Sequence, residues 1–259
     1  MLRLITHSFW FYLLAFFWII LTRYFLIAGG AHWLFYSVLR KSVSSRRLRL
    51  KPPLRQSMLR DIKLSSLSTV VFALGAAFVI SMYDRGMTLL YSNPYQHGLW
   101  YLGFSFAAVL ILQDAYFYFA HRIFHHPSLF KWFHRGHHRS GDPTPWTSFA
   151  FDLPEAIVQA FFLIGIVFIL PLHFITLISV VMTMTIWTVW NHLGFELFPP
   201  SFPHHWFTKW FIGPTHHSLH HRKYTVHYGL YFTFWDKLLG TQDPQYGYEF
   251  DSALRRESA

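Results

Sequence analysis

The sequence predicts an all-α integral membrane protein, with about four to five transmembrane or re-entrant helices beneath a cytoplasmic helical cap that carries a histidine-rich metal site. Three observations predict it. Only 13% of residues are charged while 53% are apolar, against about 25% charged in an ordinary soluble domain. The basic residues gather in one segment between apolar runs. Most of the 18 histidines fall into clusters beyond the ends of those runs.

The first apolar run follows Arg3 and resembles a signal peptide, but from Phe9 to Ile27 it is too long for an h-region and no small-residue cleavage site follows. It reads as a retained span over 9–28, with Arg23 snorkelling or facing the bundle. Gly29-Gly30 loosens the helix before an aromatic stretch from His32 to Leu39. Residues 64–83 and 99–120 make the second and third spans. Residues 156–190 are apolar but broken at Pro171, and read as a helical hairpin that dips through the bilayer and returns.

Topology follows from charge. Residues 40–63 hold nine Lys/Arg against one acid, Asp61, while residues 84–97 hold only Arg85. The positive-inside rule puts the first segment in the cytoplasm, and counting spans brings all the histidine clusters to that side. The basic segment suits anionic headgroups. No soluble domain is visible for a nucleic-acid partner. Short termini without a lipidation or retrieval motif at Glu257-Ser258-Ala259 favour a bacterial inner membrane over the endoplasmic reticulum.

The chemistry lies in HRIFHHPSLFKWFHRGHH, residues 121–138, where His121 and His125 form HxxxH and His134, His137 and His138 form HxxHH. A second HxxHH follows at His217, His220 and His221. Residues at i, i+3 and i+4 share a helix face, so each cluster aims two or three imidazoles at one point. One such motif in a histidine-rich chain is weak evidence; two with an HxxxH are not. With no cysteine, thiolate sites and disulfides are excluded.

His126 precedes Pro127 and is pushed out of helical geometry. His216, rotated about 100° from His217, reads as a neighbour, with a ligand role left open. His192, at the end of the hairpin, is a ligand or an interfacial residue with equal weight, and Glu196 is a weaker candidate because Gly194 breaks the helix. His7, His32, His97, His173, His204 and His205 sit at span edges or in loops and receive no chemistry. Asp114, two turns before His121 in a membrane helix, needs a partner. It is expected to accept a hydrogen bond from the outer nitrogen of a ligating histidine, the alternative being a pair with Tyr118 or Gln113. A single site takes three or four protein ligands, so these histidines imply two metals. An all-nitrogen shell without carboxylate-rich ligands, and without the HExxH of a zinc hydrolase, points to two irons that activate O2.

The stretch from Gln113 to Thr241 resembles the fatty acid hydroxylase/sterol desaturase superfamily of membrane di-iron oxidases, nearest its sterol C5-desaturase-like branch. The resemblance rests on Asp114, HRIFH, HRGHH, Asn191-His192-Leu193-Gly194, HSLHH, Tyr228-Gly229 and the run from Trp235 to Thr241. It implies His192 as a metal ligand beside the eight cluster histidines, and a structural or supporting role for Asp236. It further implies N-terminal spans and a basic loop over 1–97, a catalytic region over 98–245 and a tail over 246–259. The expected activity is oxygen-dependent hydroxylation or desaturation of a membrane lipid, whether sterol-like, fatty acyl or another isoprenoid. Electrons would come from a cytochrome b5-like protein or ferredoxin docking near Lys131, Arg135, Arg139, Arg222 and Lys223. Asp152-Leu153-Pro154-Glu155 replaces the family's His-Pro-x-Glu, and His227 stands where Asn often precedes Tyr-Gly. A membrane metal-binding or transport protein, or an inactive structural relative, is the alternative.

Overall fold

A computed structural model describes residues 7–49 and 52–255. Arg3, Lys51 and the Glu257-Ser258-Ala259 end therefore lie outside the described residues. Among those described, four helices are long and apolar enough to cross a membrane: α1 (Phe9–Val38), α2 (Arg55–Asp84), α3 (Leu99–Phe124) and α7 (Phe174–Asn191). The shorter apolar helix α6 (Leu153–Ile169) lies beside them. Between and beyond these run the short helices α4 (Pro127–Phe133), α5 (Arg135–His138), α8 (Pro214–Lys223), α9 (Phe234–Leu238) and α10 (Tyr246–Arg255).

Two spans differ from the sequence reading. α1 does not loosen at Gly29-Gly30 but continues to Val38, through π-helical turns at Phe25–Gly29 and Leu34–Val38. A side chain at Gly29 would meet the ring of Trp146, so this glycine serves a close approach. Second, the helix of the second span begins at Arg55, so part of the basic segment is helical. Arg23 faces the bundle, over the ring of Phe149 at 5.7 Å.

The hairpin breaks where expected. Pro171 holds Leu170 extended, and Leu172–His173 pairs in parallel with Leu90–Tyr91. His173 then caps α7 by accepting from the Ile175 amide at 3.0 Å. Val79, Val109, Val167, Leu172 and Val180 form a core at this end of the bundle. At the other end the core comprises Ile20, Tyr24, Ala28, Ala73, Phe149 and Val189. Small residues let helices approach closely where lipid gives no hydrophobic drive to associate.

The polar cap is tied into the spans by a turn at Pro145–Phe149. Tyr24 Oη donates to the Trp146 carbonyl at 2.9 Å, and Ser68 Oγ to that of Phe149 at 2.6 Å. Asp61 is buried and accepts from Ser140 Oγ at 2.6 Å and Thr147 Oγ1 at 2.7 Å. The basic segment lies on the same cap: the Leu48 amide donates to Gly194 O at 3.1 Å, and the Glu196 amide to Arg46 O at 2.9 Å. Asp61→Ala should destabilise the protein by about 1–3 kcal/mol for each hydroxyl left without an acceptor, read as a lower unfolding temperature in detergent.

Candidate metal centre

The structure brings all nine singled-out histidines together, in two groups. His121, His125, His134, His138 and His220 form one; His137, His192, His217 and His221 form the other. Within each group the candidate ligand atoms lie within 4.8 Å of one another. The expectation that each cluster aims at one point is corrected. His134 and His138 enter the first group and His137 the second, whereas His217 and His221 enter the second and His220 the first. In each HxxHH motif the i and i+4 rings stay together. The i+3 ring, about 100° away from its neighbour at i+4, reaches the other group.

The local structure explains these directions. His121 ends α3 and His125 is its C-cap. His134 precedes the single turn of α5 in a non-helical conformation, at φ −138° and ψ −6°. Gly136 in that turn donates its amide to Asp152 Oδ2 at 2.6 Å, and a Cβ there would collide with the same carboxylate. This gives Asp152 a role in placing the second cluster. His192 is the C-cap of α7, where Gly194, at φ +80°, turns the chain. Glu196, weighed as a ligand, instead accepts from the amide and hydroxyl of Thr215 at 3.0 and 2.7 Å, fixing the start of α8.

The outer nitrogens are held by oxygen acceptors. Nδ1 donates to Tyr228 O from His121 at 2.9 Å, to Thr188 O from His192 at 2.7 Å and to Val226 O from His220 at 2.7 Å. His134 Nδ1 donates to Glu155 Oε2 at 2.7 Å, and His137 Nδ1 to Ala150 O at 3.3 Å. In a neutral ring this leaves Nε2 as a bare lone pair. Yet Nε2 of His121 lies 2.9 Å from Nε2 of His134, and Nε2 of His137 lies 3.3 Å from Nε2 of His192.

Facing lone pairs repel, so each pair needs a cation between or beside them. A proton is disfavoured. Burial first, then neighbouring imidazoles, holds His134, His138, His217 and His221 well below the usual histidine value. Burial also takes His192 down to about 4 and His220 to about 3. Nδ1 of His138 and of His221, and Nε2 of His125, are buried without a hydrogen-bond partner among the described residues. Two metal ions fit this donor set: five and four neutral imidazoles, oriented from behind.

Asp114 departs from the expected role. Its Oδ1 accepts from the amides of Leu230, Tyr231 and Phe232 at 3.2, 2.7 and 3.1 Å. Three amides in one turn offer a membrane-embedded carboxylate more than a single imidazole can. Asp236 binds the same loop, accepting from the amides of Tyr228 and Gly229 at 2.8 and 3.1 Å and from Thr241 Oγ1 at 2.8 Å. Both aspartates thus position the loop whose Tyr228 carbonyl orients His121.

The carboxylate behind a ligating histidine is Glu155, fully buried on α6, which sequence reasoning passed over. Its signal was an acid opening an apolar hairpin helix. His216 lies outside both groups, stacked on His227 with ring centroids 3.6 Å apart. His227 donates from Nδ1 to the His216 carbonyl at 2.8 Å and accepts from the Asp243 amide at 2.9 Å.

These features define a class: a multi-span membrane protein with two adjacent all-imidazole groups, each able to hold a metal ion, under a polar cap. The sequence model of the fatty acid hydroxylase family matches residues 106–241, and the chain belongs to that family. It is 32% identical over 186 residues to a Delta(7)-sterol 5(6)-desaturase of Gibberella zeae, covering 72% of this chain and 54% of that protein. It is 32% identical over 231 residues to one of Aspergillus fumigatus, covering 81% and 71%. With human lathosterol oxidase it shares 30% identity over 192 residues, covering 73% and 62%. The chain thus spans only about half the length of the first of these relatives. No solved structure is significantly similar to it.

Glu155→Ala should weaken metal binding about 10–100-fold, measured by metal titration of the purified protein. The pH dependence has a fixed sign. His192 and His220, with values lowered to about 4 and about 3, are neutral in the fold but take protons near pH 6.5 when unfolded. Their contribution is full above pH 6.5 and lost as pH falls towards 4. The metal-free protein should therefore lose unfolding temperature steadily over that window, and a flat profile would contradict the assigned burial.

Proposed function

We propose that this chain is a membrane-bound, oxygen-dependent di-iron oxidase that hydroxylates or desaturates a C–H position of a lipid. The observation that carries the reading is the convergence of nine imidazoles into two adjacent groups, at the polar ends of membrane helices. When bound there, a pair of irons supplies oxidation of an unactivated C–H bond by dioxygen. The relatives are named as sterol desaturases and lathosterol oxidase, which supports a sterol-like substrate over other membrane lipids.

The chain's own residues divide the remaining work. His121, His125, His134, His138 and His220 would hold one iron; His137, His192, His217 and His221 would hold the other. Glu155 and the carbonyls behind His121, His137, His192 and His220 keep the Nε2 of these rings and of His134 deprotonated and aimed. Asp114 and Asp236 fix the Tyr228–Phe232 loop. Phe117, Phe151 and Leu230 line the small cavity beside histidines of both groups, and would border the carbon that a bound lipid presents there. Such positioning selects the carbon oxidised.

Residues 1–97 would then serve as spans and basic loop, 98–245 as the catalytic region and 246–259 as a tail. The basic segment packs on the histidine cap, and a cytoplasmic site, as the positive-inside rule would have it, is part of this proposal. A bacterial membrane draws no support from these relatives, which are fungal and mammalian. The electron donor would be an acidic protein, a cytochrome b5-like protein or ferredoxin, docking on exposed Lys131, Arg135, Arg139, Arg222 and Lys223. Arg222 and Lys223 are already tied to Glu249 and Asp243, which leaves the α4–α5 cations as the main attraction.

The test is lipid profiling by mass spectrometry of cells expressing the wild type or His217→Ala. A species shifted by about +16 or −2 mass units, one oxygen gained or two hydrogens lost, is expected only with the wild type. Identical profiles from a wild type that holds iron would sink the reading.

A further inference from the structure

Asn191 lines two cavities at once. One is the metal-side cavity, bounded by His137, His192, His217, Glu155 and Phe117. The other lies on the polar face of the cap, bounded by Tyr36, Arg47, Leu48, Arg49, Asp142 and Ser218. Each is about 20 Å3, room for one water molecule. Among the described residues Asn191 is the one side chain common to both. The wall is a single residue thick: Ser218 faces one cavity and its chain neighbour His217 the other.

The partition itself is polar. Asn191 is 4% exposed; its Nδ2 donates to Leu230 O at 3.3 Å, while Oδ1 is buried with no partner among the described residues. A buried acceptor without a partner is costly unless water reaches it. The outer cavity can supply that water. Arg49, 40% exposed, pairs with Asp142 at its mouth, and Arg47 lies over the rings of Tyr36 and Phe195 at 5.6 and 5.4 Å.

We propose that Asn191 is the polar gate of a water path that carries protons from the cap surface to the metal cavity. This rests on the oxidase reading, whose stoichiometry requires such a path. Hydroxylation consumes one C–H bond, one O2, two electrons and two protons, and gives an alcohol and one water. Desaturation consumes two C–H bonds with the same O2, electrons and protons, and gives a double bond and two waters. In both, the electrons come from the redox protein and two protons must enter from solvent. Asn191 passes them by ordering water through its free carbonyl oxygen, without itself ionising; it is a positioning residue.

The test uses the full chain in detergent with three variants: Asn191→Leu, which seals the gate; Asn191→Ser, which leaves room for water; and Leu48→Trp, which fills the outer cavity. Asn191→Leu should retain iron, turn over about tenfold more slowly and show a D2O isotope effect about twice that of the wild type. Asn191→Ser should restore both, and Leu48→Trp should repeat the Leu result from outside. Entry of deuterons, read by pulsed EPR on Co(II)-loaded protein without oxygen, should slow in the Leu and Trp variants. Wild-type deuteron entry and isotope effect in both sealed variants would overturn the path, as would equal impairment of Asn191→Leu and Asn191→Ser. If Asn191→Leu does not fold, Leu48→Trp decides. Absence of oxygen consumption in the wild type would instead fail the oxidase reading, and the deuteron measurement would still judge the path.

Discussion

The structure depends on a repulsion that the protein imposes on itself. Nδ1–H groups donating to carbonyls and to Glu155 leave Nε2 lone pairs of His121 and His134 facing each other at 2.9 Å, in a site where burial disfavours protonation of the rings. Such a set is unfavourable as a fold and favourable as a ligand cage. It persists because five of the nine rings are fixed from behind by an acceptor. Four of the five acceptors are main-chain carbonyls at chain reversals or helix ends, so ring orientation is set by backbone rather than by other flexible side chains. On the proposed reading, metal binding and folding are one free-energy balance, and changes that loosen the backing should appear as lost metal before lost fold.

That backing leads outward to the membrane. His121 is oriented by Tyr228, whose loop is held by Asp236 from within the cap and by Asp114 from a spanning helix. The second cluster is placed by Gly136 against Asp152, at the mouth of the hairpin helix that also carries Glu155. Each carboxylate is expensive to bury, and each satisfies main-chain amides or an imidazole that would otherwise be unpaired. Buried carboxylates thus supply fixed hydrogen-bond acceptors that hold cap loops in register.

Much of this was legible in the sequence, for physical reasons. Long apolar runs and the break at Pro171 reflect local constraints that no tertiary contact overrides. The nine histidines stood out because imidazoles at helical spacing in two HxxHH motifs are rare. What could not be read was their partition. Spacing at i, i+3 and i+4 says that rings share a face, but not that neighbouring rings divide between two groups. The partner of His134 was equally hidden: Glu155 is 21 residues away and meets it only after the hairpin folds back. Asp114 drew attention because it is intramembrane, yet a carboxylate's neighbours depend on a loop more than a hundred residues later. The continuation of α1 through two glycines reflects Trp146, also distant in sequence.

The two departures from the family pattern can now be weighed by what they touch. Asp152 replaces the histidine of His-Pro-x-Glu, but keeps contact with the site through the Gly136 amide while Glu155, the motif's acid, still backs His134. His227 replaces asparagine at a position with φ +63°, a conformation in which both residues are enriched. Its ring bridges the His216 carbonyl and the Asp243 amide, tying the third cluster's helix to the following loop. Neither change removes a ligand or its backing, and neither residue lines the metal cavity. On the proposed reading, differences in substrate would be sought among Phe117, Ser148, Phe151, Thr188 and Leu230, which do line it, because side chains that touch a substrate bias which carbon is presented.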